Sequence, residues 1–374
     1  MSTLVPCDIA ARSNRLGVVL SDLECEALLV TDLTNIAYLT GFSGSSATLL
    51  VTADEMCLAT DGRYGHQAPA ELAAAGSSAA TVVGSLAEQA DALVERVMAA
   101  GVTKLGLESE HITWADQQMW ADVFAGAAGA SRVVVPTSGV VGGLRAIKDG
   151  GEVARIEAAA SIADAALADV LDLLATGITE RAFALALDHR MLERGAQALS
   201  FETICAAGPN SALPHATPSE RPIGAGELVV LDFGAVVDGY HSDMTRTFHM
   251  GEPSPEAAAM LTLVLDAQEL GVRSVGVGVA CSAVDAACRE HISAAGLAGE
   301  FVHGTGHGVG RVIHEAPWIN GRNPAPLVAG QVVTVEPGVY RPGFGGVRIE
   351  DTVLVAADGA RRLTGFPKDP VLAL

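Results

Sequence analysis

Three histidines and four glycines fall within residues 303–315, HGTGHGVGRVIHE. His303 and His307 are four residues apart, a spacing that would place both imidazoles on one face of a helix. The glycines argue against a helix, because each costs about 1 kcal/mol relative to alanine in a helix interior. We therefore expect a strand or tight loop whose backbone approaches another group closely. Imidazoles held on such a segment can bind a metal ion or transfer protons.

The same segment does not fit a phosphate-binding loop. A dinucleotide-binding G-x-G-x-x-G motif requires a third glycine three residues after the second. Counting from Gly304 and Gly306, that position is Val309. Counting from Gly306 and Gly308, it is Arg311. The histidines therefore need another explanation.

Two carboxylates converge in a predicted β-hairpin at residues 229–248. Its turn is Asp238-Gly239, a dipeptide typical of two-residue hairpin loops. If that turn forms, Asp232 is the diagonal neighbour of Asp243 on one face of the hairpin. The opposite face is mostly apolar and suits a core. A hairpin with a core on one side and two acids on the other favours a bound cation.

A second predicted hairpin, at residues 332–355, repeats this arrangement. Glu336 and Glu350 are equidistant from Gly343 in the turn-rich sequence RPGFGG, so a hairpin would place them opposite each other. Arg348 lies two residues before Glu350 and shares its face. Acids on one exposed sheet face are often only solvated. Two hairpins with facing acids around a histidine segment make a shared site the better interpretation.

Four carboxylates and one imidazole in one place predict a metal centre. Closely packed like charges raise each other's pKa until some groups protonate, and two divalent cations would balance them. The oxygen-rich ligand set favours Mn²⁺, with Zn²⁺, Co²⁺ and Fe²⁺ left open. Two such ions can share a bridging water, lower its pKa and stabilise a tetrahedral oxyanion. The predicted chemistry is hydrolysis, in which the other histidines donate protons and Arg348 holds a carboxylate.

Length and composition set wider limits. The chain of 374 residues exceeds a comfortable single core, which predicts two domains. A net charge of −21 argues against nucleic-acid and anionic-membrane partners, because both rely on clustered Lys and Arg. The N-terminal residues show no basic region followed by an apolar run, and no apolar stretch reaches about 20 residues. Six cysteines without C-x-x-C spacing indicate reduced thiols, so we expect a cytoplasmic protein.

The elements that position these residues come in blocks. Strand-like runs and turns alternate over residues 17–60 and predict a small α/β domain. The glycine-rich segment 138–152 marks a boundary, which gives domains 1–140 and 141–374. Helices are predicted at 68–75, 86–100, 151–175, 179–195 with Thr179 as N-cap, 255–272 and 282–295, and strands at 200–250 and in the last 75 residues. Such blocks predict an α+β catalytic half.

Four motifs carry a resemblance to a known family: LDFG-x(4)-GYHSDMTRT, HGTGHGVG-x(3)-HE, VTVEPGVY and GVRIEDT. Together they resemble the pita-bread metallopeptidases, in the branch of Xaa-Pro aminopeptidases and Xaa-Pro dipeptidases. YLTGFSGSSATLLV with TDGRY resembles the creatinase-like N-terminal domain of that branch, and GPNSALPHA resembles its substrate-site segment. The resemblance implies a creatinase-like α/β domain followed by a pita-bread catalytic domain.

By motif position, five residues are similar to the ligands of a dinuclear metal site: Asp232, Asp243, His307, Glu336 and Glu350. Four more correspond to residues that bind substrate and shuttle protons: His215, His303, His314 and Arg348. Glu336 also resembles the acid proposed as general base. The glycines around His307 would then let metal and substrate pass close to the backbone. His241 and Thr245 are further candidates, because they share the carboxylate face of the first hairpin.

The resemblance implies hydrolysis of the peptide bond before proline, at the N-terminus of dipeptides or short peptides, by a homodimer. One sequence leaves open the choice between a dipeptidase and an aminopeptidase that trims longer peptides. Methionine aminopeptidases lack the first domain and creatinase-like enzymes work without metal, so both are disfavoured. A non-catalytic binding protein that retained the fold is the alternative, but its expected signature is a lost ligand. An oxygenase with two histidines and one carboxylate is disfavoured by the four acids.

Overall fold

The computed structural model describes residues 4–126, 132–369 and 371–372. The chain divides into two compact units, one of Cys7–Arg145 and one of Met1–Pro6 with Ala146–Leu374. The division falls inside the glycine-rich segment, after a short helix, Val140–Arg145, that the sequence pattern did not predict. Among the described residues we find no helix with the length and apolar character needed to cross a bilayer.

The described residues of the first unit form a six-stranded mixed sheet flanked by helices. Its strands are β1 (Ala27–Val30), β2 (Ala47–Thr52), β3 (Met56–Thr60), β4 (Ala80–Val83), β5 (Lys104–Glu108) and β6 (Val133–Thr137), in the order β4-β3-β2-β1-β5-β6. Its helices are α1 (Ile9–Ser21), α2 (Leu33–Thr40), α3 (Gln67–Ala74), α4 (Leu86–Ala99), α5 (Trp114–Gly126) and α6 (Val140–Arg145). Leu28 and Leu29 of β1 belong to two different core clusters, so both faces of the sheet are covered.

The strand-like runs predicted within residues 17–60 are confirmed as β1, β2 and β3, but the pattern did not predict two helices in this range. Helix α1 overlaps the start of this range and α2 lies within it. The α2 sequence LTNIAYLT is rich in residues with β propensity, but its ends carry helix signals. The Asp32 side chain accepts a hydrogen bond from the Thr34 N–H, and the helix ends at Gly41 with φ of 80°. The caps outweigh the propensity of the residues between them.

The helices of the second unit lie close to their predicted positions. They are α7 (Gly150–Val170), α8 (Glu180–Glu193), α9 (Pro255–Ser274) and α10 (Cys281–Ala294). Thr179 caps α8 as predicted, because its side chain accepts from the Ala182 N–H. Helix α7 stops earlier than predicted, and a 3-10 helix, Leu171–Thr176, follows it. Helices and strands in these blocks confirm the predicted α+β class.

The strands of the second unit form two larger sheets and two smaller ones within the described residues. They are β7 (Ala198–Leu199), β8 (Ile204–Ala207), β9 (Leu228–Phe233), β10 (Ala235–Val237), β11 (Tyr240–His241), β12 (Met244–Met250), β13 (Gly306–Gly308), β14 (Glu315–Ile319), β15 (Val332–Val335), β16 (Gly338–Arg341), β17 (Gly345–Arg348), β18 (Asp351–Ala356), β19 (Gly359–Arg362) and β20 (Val371–Leu372). The larger sheets have the orders β20-β12-β9-β8 and β14-β13-β15-β18-β19.

The first predicted hairpin forms with the predicted register. Its turn residues Asp238 and Gly239 have φ angles of 48° and 77°, the left-handed conformation that a type I′ turn needs. Farther out, Asp232 pairs with Thr245, which places Asp243 diagonally across from Asp232. The other face packs into the main core through Leu231, Phe233, Ala235 and Met244. One face is therefore apolar and the other carries the two acids.

The second predicted hairpin is also present and centred on Gly343. Val335 pairs with Asp351, and Gly338 pairs with Arg348. Both pairs are symmetric about residue 343, so the two acids between them, at positions 336 and 350, occupy facing positions as predicted.

Within the segment 303–315, residues Gly306–Gly308 form strand β13 and no helix is present, which confirms the expected strand or loop. A Cβ on Gly306 would lie 2.1 Å from the Thr334 carbonyl oxygen, and one on Gly308 would lie 2.2 Å from the Ala316 carbonyl oxygen. Strand β13 lies between β14 and β15, so neighbouring backbones fill the space that side chains would need. Strand packing is by itself enough to require glycine at these two positions, and the expectation that metal and substrate pass close to this backbone stays a prediction.

We expect Gly306→Ala to destabilise the second unit by about 3 kcal/mol, at the upper end of the usual cost of overpacking. The added methyl group meets backbone atoms of Thr334, which cannot rotate away. Gly276→Ala is the matched control, since the nearest atom to its new Cβ would be Val279 Cγ2 at 3.7 Å. Calorimetric thermal unfolding should show a lower Tm for the first variant only. Equal Tm values for both variants would contradict this account of the glycine.

Candidate functional site

The predicted site residues gather around one cavity of the second unit, with a volume of about 510 Å³. All nine line it: His215, Asp232, Asp243, His303, His307, His314, Glu336, Arg348 and Glu350. The cavity is therefore lined by side chains from both hairpins, from the segment 303–315 and from the loop after β8.

The two hairpins are joined directly beside the acids. The Glu350 N–H donates to the Thr245 carbonyl oxygen at 3.1 Å. The Thr352 hydroxyl donates to the Asp243 carbonyl oxygen at 2.7 Å. These bonds connect the start of β12 to the start of β18, so the carboxylates of both hairpins face one space.

Three buried side chains form the tightest group of possible metal ligands. Asp243, His307 and Glu350 each offer one ligand atom, and these atoms lie within 4.8 Å of one another. His307 Nε2 is 3.5 Å from Asp243 Oδ2 and 3.3 Å from Glu336 Oε1. His307 Nδ1 is 3.1 Å from the Gly308 carbonyl oxygen, and a proton donated there leaves the Nε2 lone pair facing the acids.

Two carboxylate oxygens in this group carry the test of whether a cation fits. Asp232 Oδ1 and Glu350 Oε1 are buried and have no hydrogen-bond partner among the described residues. The other oxygen of each carboxylate accepts a hydrogen bond. Arg348 donates to Asp232 Oδ2 at 2.7 Å, and Thr245 donates to Glu350 Oε2 at 2.7 Å. A buried carboxylate oxygen without a partner is costly unless it binds a cation. The donor set of oxygens and one imidazole fits divalent metal ions.

The pKa values of the cavity acids also indicate that this site needs a bound cation. Burial, followed by the charges of the three neighbouring acids, raises the pKa of Asp243 well above its ordinary value. Burial and two of these acids do the same to the pKa of Glu350. Burial also raises the pKa of Glu336, but the hydrogen bond and charge of His307 outweigh it and lower that pKa to about 2. Without a cation the acids cannot all be ionised near neutral pH.

Metal binding should therefore release protons and weaken as the pH falls. Asp243 and Glu350, whose raised pKa values favour the protonated forms, must ionise before they can hold a cation. Calorimetric titration of the metal-free protein with Mn²⁺, in two buffers of different ionisation enthalpy, measures the protons released. We expect at least about one proton per chain at neutral pH, and a dissociation constant that rises on acidification. Proton-free, pH-independent binding would contradict the electrostatic description.

A hydrogen-bond chain fixes Arg348 and His303 beside the acids. Arg348 donates to Asp232 at 2.7 Å and to the Tyr340 hydroxyl at 2.8 Å. The Tyr340 hydroxyl lies 2.9 Å from His303 Nε2, and His303 Nδ1 lies 2.8 Å from the Gly304 carbonyl oxygen. Burial lowers the pKa of His303, which favours the neutral ring. Tyr340 then donates to Nε2, so both ring nitrogens of His303 are engaged.

His215 and His314 lie at the exposed wall of the cavity. The His314 ring packs edge-on against the His307 ring at a centroid distance of 4.4 Å. Burial and the nearby charge of His307 lower the pKa of His314, which favours its neutral form. The next residue, Glu315, is ion-paired with Lys148 at 2.7 Å, and the Lys148 side chain is fully buried. This pair anchors the start of β14 behind His314.

Two side chains of helix α10 form hydrogen bonds to the segment 303–315, which carries the three histidines. Asp285 accepts hydrogen bonds from the Thr305 N–H at 3.2 Å and from its hydroxyl at 2.8 Å. Arg289 contacts both oxygens of Asp285 at 3.0 Å and donates to the His303 carbonyl oxygen at 2.7 Å. The sequence analysis missed this pair. Its signal was the four-residue spacing of an acid and a base on one helix face.

The sequence analysis also missed Tyr340, although the register of the second hairpin contains the signal. Gly338 pairs with Arg348, and Tyr340, two residues on, shares that face of the ribbon.

The two further candidates on the first hairpin, Thr245 and His241, differ in whether they contact the site. Thr245 contacts both Glu350 and Arg348. His241 instead lies 2.9 Å from the Ser200 hydroxyl through Nδ1, outside the cavity lining.

Comparison with known proteins gives matches over both units. Residues 154–357 match metallopeptidase family M24, and residues 12–147 match the creatinase/prolidase N-terminal domain. An uncharacterised peptidase of Bacillus subtilis is 38% identical over 96% of this chain and 99% of its own. The structure of Xaa-Pro dipeptidase from Bacillus anthracis is 35% identical, covers 98% of this chain and 100% of its own, and gives a TM-score of 0.90. The structure of X-Pro aminopeptidase from Thermotoga maritima is 32% identical, covers 97% of this chain and 100% of its own, and gives a TM-score of 0.86.

Proposed function

The chain belongs to metallopeptidase family M24, and we propose that it hydrolyses the peptide bond before proline at the N-terminus of dipeptides or short peptides. The family and its neighbours confirm the expected creatinase-like domain followed by a pita-bread catalytic domain. The observation that carries the proposal is the meeting of four acids and one imidazole in one cavity. The binding-protein alternative is disfavoured, because all five expected ligand positions keep a ligating side chain.

The proposed metal ligands are Asp232, Asp243, His307, Glu336 and Glu350, which would hold two divalent ions, with Mn²⁺ preferred. When bound, such ions activate water and stabilise developing negative charge on the substrate oxygen. The protein prepares the site for them. Arg348 and Thr245 each hold one oxygen of an acid and leave the other oxygen facing the cavity. His307 presents Nε2 to the same space.

The remaining residues bind substrate and move protons in this proposal. Glu336 lines the cavity beside His307 and is assigned as the general base that accepts a proton from water. The proline nitrogen must gain a proton when its bond to the carbonyl carbon breaks, and His314 on the cavity wall is assigned to pass on to it the proton that Glu336 accepts from water. His215 binds substrate from the same wall. His303, with both nitrogens engaged, acts as an anchor in contact with Tyr340.

The test is hydrolysis by the full-length protein loaded with Mn²⁺. Ala-Pro and Ala-Pro-Ala should each release free alanine, whereas Ala-Ala-Ala should be cleaved far more slowly. Removal of metal with a chelator should abolish hydrolysis, and Mn²⁺ should restore it. Metal analysis should give about two ions per chain for a dinuclear site. Equal cleavage of Ala-Ala-Ala, or no cleavage with Mn²⁺, Zn²⁺, Co²⁺ or Fe²⁺, would overturn the proposal.

The same proposal includes a cytoplasmic homodimer with peptides as its partners. The six cysteines are free thiols, which fits a reducing compartment. The net charge of −21 disfavours nucleic acid and anionic membranes as partners. The dimer rests on the family resemblance alone, and light scattering on the purified protein tests it by giving either one or two chain masses of 38.2 kDa.

A further inference from the structure

The charged groups around the cavity bear on substrate length. We propose that the enzyme prefers peptides that continue beyond proline over free Xaa-Pro dipeptides. This inference rests on the proposed function, because it concerns the same cavity and the same reaction. It selects one of the two substrate classes that the sequence leaves open.

Five carboxylates line the cavity: Glu202, Asp232, Asp243, Glu336 and Glu350. Arg348 is the only Lys or Arg among the described residues of the lining. Its side chain is 3% exposed, and all three guanidinium nitrogens are engaged. Nε donates to the Thr245 hydroxyl at 3.1 Å, Nη1 to Tyr340 and to the Pro214 carbonyl oxygen, and Nη2 to Asp232. A substrate carboxylate therefore meets no available fixed positive charge of the lining.

Bound metal does not change this balance. Four of the carboxylates offset two divalent ions, and the charge of Glu202 offsets that of Arg348. The loaded cavity then carries no surplus positive charge for an anionic group. His215 and His314 can each donate a hydrogen bond to a carboxylate or to an amide oxygen, so these two side chains do not favour the dipeptide over the longer peptide.

A dipeptide brings its carboxylate into this environment. The carboxylate is attached to the proline Cα, next to the nitrogen of the bond that is cleaved, so it must enter the cavity beside the acids. Burying an ionised carboxylate without a cation costs far more than burying a neutral amide. In a longer peptide an amide takes that position, and the charged terminus lies at least about 3.5 Å farther along the chain.

The size and the wall of the cavity agree with a longer substrate. Its volume of about 510 Å³ lies in the range of pockets that hold drug-sized ligands, which are larger than Ala-Pro. Part of its wall is apolar: Phe201, Ile204, Pro214, Pro218 and Trp318. Trp318 is 49% exposed, so residues after proline have an apolar surface to cover.

The test compares Ala-Pro, Ala-Pro-NH₂ and Ala-Pro-Ala with the Mn²⁺-loaded full-length protein. The amide removes the negative charge of the dipeptide with almost no change in size. Ala-Pro-NH₂ and Ala-Pro-Ala both carry a neutral amide on proline. We expect kcat/KM for each to exceed that for Ala-Pro by about tenfold or more, which corresponds to about 1.4 kcal/mol. Equal or faster hydrolysis of Ala-Pro would overturn the inference and leave the proposed function standing. Failure to hydrolyse all three would overturn both.

A charge-reversal pair provides an independent measurement. Glu202 is an exposed acid of the cavity lining, and Glu202→Lys puts a cation there. We expect the variant to raise kcat/KM for Ala-Pro relative to Ala-Pro-NH₂ by about threefold or more. Glu252 is exposed and outside the lining, so Glu252→Lys changes the net charge equally and should leave the ratio unchanged. An identical ratio in wild type and both variants counts against the charge argument.

Discussion

Asp243→Ala should leave the protein unable to load its metal and without detectable peptidase activity, while the fold stays intact. Asp243 belongs to the group of three side chains whose ligand atoms lie within 4.8 Å of one another. Changes outside the ligand shell already cost about 10- to 100-fold in metal affinity, so loss of a ligand should cost more. The backbone bond from Thr352 to the Asp243 carbonyl oxygen does not depend on the side chain and should persist.

The metal-free forms supply the decisive comparison. Burial and neighbouring acids raise the pKa of Asp243, which means that its charge is unfavourable in the metal-free fold. Metal-free Asp243→Ala should therefore unfold at the same Tm as metal-free wild type or at a higher one. Added Mn²⁺ should raise the Tm of wild type but not that of the variant.

Asp172→Ala is the matched control, because Asp172 is exposed and does not line the cavity. That variant should load metal and cleave Ala-Pro-Ala like wild type. Full activity of Asp243→Ala would refute its assignment as a ligand. A collapse of the metal-free Tm would show instead that Asp243 supports the fold.

Two adjacent residues of the second hairpin show that the lack of cations is specific to the cavity. Glu350 faces the cavity and keeps one buried oxygen without a partner among the described residues. Asp351, the next residue, is equally buried but contacts Arg246, Arg362 and Lys368 at 3.0, 3.0 and 2.6 Å. Burial raises the pKa of Asp351, yet these three charges lower it below its ordinary value. The protein supplies its own cations behind the hairpin and leaves the cavity side to the metal.

Local rules made the acids predictable from the sequence. The period of two in a strand and a recognisable turn together fix which residues share a face, as Asp232 and Asp243 do around Asp238-Gly239. Glu336 and Glu350 are the same number of residues from Gly343, which predicted in the same way that they face each other. Both predictions needed only residues within one hairpin.

Contacts between distant segments were not predictable by these rules. Gly306 is required because the Thr334 carbonyl oxygen approaches it from another strand, and nothing near residue 306 indicates that approach. Asp285 supports the histidine segment from a helix about 20 residues earlier in the chain. Sequence spacing thus located the chemistry, whereas the packing that holds it became visible only in three dimensions.

His314→Ala should keep its metal and lose most of its turnover. The side chain lies on the exposed wall, and its closest ring neighbour is His307 at 4.4 Å between centroids, so its removal deletes no proposed ligand. If His314 supplies the proton to the proline nitrogen, its loss should lower kcat by about 10²- to 10⁴-fold, with a smaller change in KM. Lys148 and Glu315 remain paired and should hold the start of β14 in place.

Metal analysis beside steady-state kinetics separates the possible roles of His314. Metal content close to that of wild type, with a large fall in kcat, supports proton transfer. Metal loss in proportion to activity would instead make His314 a ligand, and an unchanged kcat would leave it without a part in turnover. His189→Ala is the control, because the His189 side chain is 71% exposed and lies outside the cavity lining. That variant should match wild type in both measurements, so any shared loss would reflect handling of the proteins and not the chemistry of the site.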